Sequence, residues 1–139
     1  MSIRPAVVDA SVLYAVADAS DPGHRRCRDV LERSRLRLFV PAMVVAEVTY
    51  LVVSRLGPLL EADFLAGMTD FEVEAPFLEE WVRIAELVRI YRDFPLGGTD
   101  ASVVVLAERL DTDLVMTLDR RHFAAVRPRH VPAFRLLPE

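Results

Sequence analysis

The sequence predicts an α/β protein built on a parallel sheet, and three observations carry that reading. Apolar runs of strand length, such as Ala6-Val7-Val8 and Leu114-Val115-Met116-Thr117-Leu118, stand singly, each separated from the next by segments with helical spacing. Single strands that alternate with helices run parallel and are covered on both faces. Helix punctuation recurs between them, at Asp21-Pro22, Pro41, Gly57-Pro58, Pro76 and Gly97-Gly98. At 139 residues, 53% of them hydrophobic, the chain is expected to form one domain over residues 1–139 with a sizeable core.

In chain order, a short strand over about 5–9 leads into an apolar turn or helix through Val12-Leu13-Tyr14. Asp21 as N-cap and Pro22 at the first helical position predict a helix to about Arg33, with Cys27, Val30 and Leu31 on one side. A second strand spans Leu36 to Val40. Pro41 opens a helix that lasts until Gly57, a C′ stop, and Pro58 starts another to about Asp70. Phe71-Glu72-Val73 is a short strand. After Pro76, Leu78, Trp81, Val82, Ile84, Ala85, Leu87, Val88 and Tyr91 give a broad apolar face at helical spacing. Thr99 caps a helix to about Leu110, and Asp113 to Leu118 is the clearest buried strand. A short helix around Arg121 to Val126 and a last strand, Ala133 to Leu137, complete a sheet of four or five strands.

Composition excludes several function classes. All seventeen basic residues are Arg, so Schiff-base, pyridoxal-phosphate and P-loop-lysine chemistry are out of reach. One cysteine, Cys27, makes neither an internal disulfide nor a zinc site. No apolar stretch approaches the roughly 20 residues of a transmembrane helix. Met1-Ser2-Ile3-Arg4-Pro5 leads into the first strand with no leader core behind it, so a soluble, cytoplasmic protein is expected. A net charge of −4 argues against a general nucleic-acid coat. Arg25-Arg26-Arg28, Arg33-Arg35-Arg37 and Arg120-Arg121 with Arg127 and Arg129 can still hold phosphates locally, although such clusters are more often solvated helix faces.

Four acids stand against the core elements: Asp9 after the first strand, Glu47 inside an apolar helix, Asp100 at the start of another, and Asp119 after Leu114–Leu118. A lone carboxylate in apolar surroundings needs a partner or loses its charge. A shared divalent cation would serve all four. Asp9 and Asp119 end their strands at the carboxyl edge, where parallel sheets form ligand crevices, and Glu47, about two turns into its helix, and Asp100, in the first turn of its own, can converge there.

Val8-Asp9-Ala10-Ser11, Pro41-Ala42-Met43-Val44-Val45-Ala46-Glu47-Val48, Thr99-Asp100-Ala101-Ser102-Val103-Val104-Val105-Leu106-Ala107 and Thr117-Leu118-Asp119-Arg120-Arg121-His122-Phe123 together resemble the four acidic motifs of PIN-domain ribonucleases, above all the VapC toxins of type II (VapBC) toxin–antitoxin systems. The resemblance covers essentially the whole chain. It implies a PIN-like three-layer α/β/α fold and Mg²⁺- or Mn²⁺-dependent endonucleolytic cleavage of RNA, of the tRNA or rRNA class. It also implies a VapB-type antitoxin and a homodimer. Asp9 and Asp100 match the principal metal-binding carboxylates, Glu47 and Asp119 complete the acidic pocket, and Ser11 and Thr117 match hydroxyl positions lining it. The segment from Ala42 to Leu56 and the helix after it carry more apolar surface than one core-facing stripe requires, in keeping with self-association.

Other readings are weighed beside this one. Asp100 alone is explained by the helix dipole, and Asp9 or Asp119 alone by a strand end. Glu47 resists that, because its helix is apolar on nearly every side. His24, His122 and His130 are scattered and read as surface or packing groups. Trp81, Phe77 and Tyr91 read as core or interface. A phosphoryl-transfer enzyme with an Asp nucleophile lacks its second Asp, where Ser11 stands, and its Lys. A catalytically weak PIN-fold module that binds RNA or protein is the nearer alternative.

Overall fold

The computed structural model describes residues 3–33 and 35–139. Met1, Ser2 and Ser34 lie outside the described residues, and so does the expected lead-in at Met1-Ser2. Five strands form one sheet: β1 (Pro5–Val8), β2 (Arg37–Pro41), β3 (Glu72–Glu74), β4 (Leu114–Met116) and β5 (Arg135–Leu137). Their order is β3-β2-β1-β4-β5 and every pairing is parallel. β1 is therefore central, with Val7 opposite Phe39 on one side and Val115 on the other. Ala6, Val7, Val8, Val115 and Met116 are fully buried, as strands covered on both faces must be.

Among the described residues, seven α-helices flank the sheet: α1 (Ala10–Ala17), α2 (His24–Arg33), α3 (Ala42–Leu56), α4 (Pro58–Ala66), α5 (Glu80–Ile90), α6 (Gly98–Arg109) and α7 (Arg120–Ala125). Helix α6 packs against β1, β2 and β4 and is buried without a break from Ala101 to Ala107. Its apolar run thus has no solvent side to lose. In α3, Val44, Val48 and Val52 form a fully buried stripe at four-residue spacing. Gly57, at φ 90°, ends that helix, and Pro58 starts α4, as the sequence predicts.

The structure moves several boundaries. Helix α2 starts at His24: the Asp21 carboxylate accepts from the Gly23 N–H at 2.8 Å in a turn before the helix, and Gly23 O accepts the first helical bond, from Cys27. A Cβ at Gly23 would lie 2.7 Å from Leu118 Cδ1, so glycine lets α2 start close against the β4–α7 loop. The helix expected to reach Asp70 tightens into a 3₁₀ turn over Gly67–Asp70. Thr99 lies inside α6, which is capped by Gly97. Helix α5 begins at Glu80, whose side chain reaches back to the Phe77 N–H at 2.7 Å. Leu78 is 87% exposed and Val82 72%, so the broad apolar face expected there narrows to Ile84 and Leu87, backed by Val88 and Tyr91.

Candidate active site

β1 pairs with β2 on one side and β4 on the other, so the chain reverses its lateral direction between β1 and β4. Such a switch point leaves a crevice at the carboxyl ends of the two strands. Asp9 follows β1 there and is the N-cap of α1. Thr117 and Asp119 follow β4, and Asp119 is the N-cap of α7.

Asp9 is 2% exposed. One of its oxygens accepts from the Ala10 N–H at 2.6 Å, and the other accepts from both Ser11 Oγ and Thr117 Oγ1 at 2.7 Å. The two hydroxyls are tied in turn, because Ser11 Oγ accepts from Leu118 N at 2.9 Å and Thr117 Oγ1 from Asp119 N at 2.8 Å. Each hydroxyl thus spends its proton on Asp9 and its lone pair on the β4–α7 loop. That network fixes Asp9 and binds the two strand ends together. Burial still pushes the Asp9 carboxyl above its ordinary range, against the lowering effect of these hydrogen bonds.

Asp100, in the first turn of α6, is pushed up from 3.8 to about 6. Desolvation is the largest cause and the charge of Asp9 the next; Asp119 and Glu47 add to it, while His122 opposes. A helix N-terminus by itself would lower this value, so the dipole alone does not explain Asp100. Glu47 is also raised, by desolvation and then by Asp9, with a Thr99 hydrogen bond acting the other way. It lies on an exposed side of α3 rather than among the apolar residues that the sequence suggested. Asp9, Glu47 and Asp119 all lie within electrostatic reach of Asp100, and Ser11 and Thr117 hold Asp9. Among the described residues, no three His, Cys, Asp or Glu side chains are drawn together tightly enough to grip a metal ion as they stand.

His122, read as surface or packing from sequence, belongs to this cluster. Its Nδ1 contacts Asp119 Oδ2 and lies 3.8 Å from Asp100 Oδ2. The signal was its position three residues after Asp119, which brings the two side chains together across the first turn of a helix. The other two histidines bind backbone carbonyls elsewhere, His24 at Ala15 and His130 at Thr112. Several of the clustered arginines are occupied structurally. Arg37 pairs with Glu72, Arg129 with Glu86, and Arg26 and Arg120 donate to Pro138 O. Arg121 instead lies over the Phe94 ring, 5.5 Å from its centroid, beside His122 in sequence.

Comparison with known proteins agrees with this geometry. A family model described as the PIN domain matches residues 6–127. The chain is 37% identical over 134 residues to "Ribonuclease VapC26" of Mycobacterium tuberculosis, covering 95% of this chain and 99% of that protein. It belongs to the PIN-domain family and, within it, to the VapC ribonucleases. The fold is similar to that of VapC20 from M. tuberculosis, a toxin described as cleaving the sarcin–ricin loop. There the TM-score is 0.74 at 17% identity, over 79% of this chain and 86% of that one. It is also similar to a chain of a toxin–antitoxin complex from Klebsiella pneumoniae, with a TM-score of 0.64 at 18% identity, over 94% and 99%.

Proposed function

We propose that this chain is the toxin of a type II toxin–antitoxin system. In this reading it is a single PIN domain over residues 1–139, working in the cytoplasm as a Mg²⁺- or Mn²⁺-dependent endoribonuclease. The observation that carries the reading is the raised proton affinity of Asp9, Glu47 and Asp100 at the β1–β4 switch point: burial is the largest cause at each, Asp9 adds to it at Glu47 and Asp100, and Asp119 and Glu47 add to it at Asp100. Such perturbation clusters at functional sites. The donor set also fits the metal by chemistry: carboxylate and hydroxyl oxygens suit a hard cation that keeps several waters and needs few protein ligands. Asp9, Glu47, Asp100 and Asp119 would hold it.

When bound, a divalent cation polarises the scissile phosphodiester and makes an attacking water more acidic. The protein's own part is positional. Ser11 and Thr117 keep the Asp9 carboxylate in one orientation, α6 brings Asp100 to the cleft, and Arg121 can steady a flanking phosphate. Substrates of the tRNA or rRNA class follow from the family, as does a VapB-type antitoxin.

A groove of about 560 Å³, bordered by Leu13, Leu31, Leu60, Phe64 and Met68 and away from the carboxylates, supports an antitoxin segment bound through apolar side chains. Exposed Tyr50, Leu59, Leu65 and Trp81 support a homodimer. No helix of the described residues is long and apolar enough to cross a membrane. The test is cleavage of total cellular RNA by the purified protein. EDTA should abolish cleavage, Mg²⁺ or Mn²⁺ should restore it, and Asp100→Ala should be inactive under all three conditions. Binding of RNA without metal-dependent cleavage would favour the catalytically weak module instead.

A further inference from the structure

Asp119 is held by a single residue through both of its oxygens. Its Oδ1 accepts from the His122 backbone N–H at 3.3 Å, and its Oδ2 contacts the His122 ring at Nδ1. An N-cap carboxylate is ordinarily tethered through one oxygen and swings on the other. Here the second oxygen is also engaged, and the same Nδ1 stands 3.8 Å from Asp100 Oδ2. Nδ1 is closed off from solvent, and its approaches to Asp119 and Asp100 are close charge contacts without hydrogen-bond geometry. The ring is kept in place by Phe94, which meets it edge-on with centroids 5.3 Å apart and planes at 86°. Phe94 is fixed in turn by its backbone bond to Tyr91 O at 2.9 Å.

We propose that His122 is the positioning residue of the acidic cluster: its ring, braced on Phe94, fixes the direction in which Asp119 faces a bound cation and separates Asp119 from Asp100. The inference rests on the metal-binding reading above. Outer partners that orient metal-ligating carboxylates are worth roughly 10–100-fold in metal affinity.

The experiment is a calorimetric titration of Mn²⁺ into the full-length, chelator-stripped protein, with folding of each variant checked by circular dichroism. His122→Phe keeps the edge contact with Phe94 and removes the polar contact with Asp119; His122→Asn keeps a polar nitrogen near the Nδ1 position and removes the ring; His122→Ala removes both. We expect Phe and Ala to weaken Mn²⁺ binding by about tenfold or more and Asn to stay within about threefold of wild type. In RNA cleavage with saturating metal, Phe should lower kcat more than it raises KM. Wild-type affinity in His122→Phe would overturn the inference alone, and so would a loss in His122→Asn as large as in His122→Ala. Failure of wild type to bind Mn²⁺, or binding that Asp100→Asn leaves intact, would instead overturn the metal reading and this inference with it.

Discussion

Asp9 and Asp100 carry the same charge but are held by different means, and substitutions should separate them. The Asp9 carboxylate accepts three hydrogen bonds in a buried site. An Asn there must turn its amide toward a donor, so Asp9→Asn should cost about 1–3 kcal/mol of stability as well as activity. Asp100 has acidic neighbours and no comparable network, so Asp100→Asn should remove repulsion. Its loss of cleavage should exceed the roughly 10–100-fold typical of an outer partner.

The pH dependence follows from the sign of the shift. A carboxyl whose folded pKa is about 6 against an ordinary 3.8 holds its proton more tightly when folded. It costs nothing below the lower value, and its full cost is reached above the upper one. In EDTA, Asp100→Asn should therefore exceed wild type in stability at pH 7.5, by on the order of 2 kcal/mol. The gap should shrink toward pH 4, as urea denaturation at the two pH values would read. A constant gap would contradict the shift. The four acids stand out in the sequence because charge inside apolar runs is a local signal, whereas Ser11 and Thr117 enter only through the family resemblance. His122 was not legible there, since its partner is recognised only once α7 begins at Arg120 and turns residue 122 back onto Asp119.

At the scale of elements, α3 and α4 are joined through Gly57 in a backbone conformation that L side chains rarely adopt. A Cβ there meets nothing within 4 Å, so Gly57→Ala should cost only backbone strain, about 1–2 kcal/mol, with cleavage activity retained per folded molecule. A fall in Tm of roughly 3–8 °C in a thermal scan is the expected reading. The α5–α6 seam is held differently. Arg83, 11% exposed, donates twice to Glu108, 12% exposed, at 3.1 and 2.9 Å, and also to Glu86. Arg83→Ala leaves Glu108, in a poorly solvated place, with the Arg129 N–H at 2.8 Å but without its guanidinium partner, and should cost about 3 kcal/mol, measurable by urea unfolding. Every helix and strand was legible in outline from Pro and Gly punctuation and apolar spacing. The starts of α2 and α5 were not. They depend on side chains, Asp21 and Glu80, that satisfy backbone N–H groups ahead of the helix, and Pro22 and Pro76 mislead because Pro22 lies in the preceding turn and Pro76 in the irregular segment before it.

Across the whole molecule, local sequence supplies strands and helices but no lateral order. That β1 is central, and that the cleft opens between β1 and β4, depends on long-range pairing such as Val7 with Val115, which no periodicity encodes. The excess apolar surface was visible beforehand in the Ala42–Leu56 region and has its counterpart in Tyr50 on α3 and in Leu59, 84% exposed, on α4. Sedimentation at micromolar concentration is expected to give a dimer, and substituting Leu59 and Trp81 with charged residues should shift it to monomer. A wild-type monomer would count against the dimer. The central claim is that four acids distant in sequence serve one cation. The most direct measurement is anomalous X-ray scattering from crystals of the full chain soaked in Mn²⁺. A peak bounded by Asp9, Glu47, Asp100 and Asp119 is expected, absent in Asp100→Asn crystals soaked identically. Mn²⁺ bound only at other carboxylates, with this cleft empty, would contradict the claim.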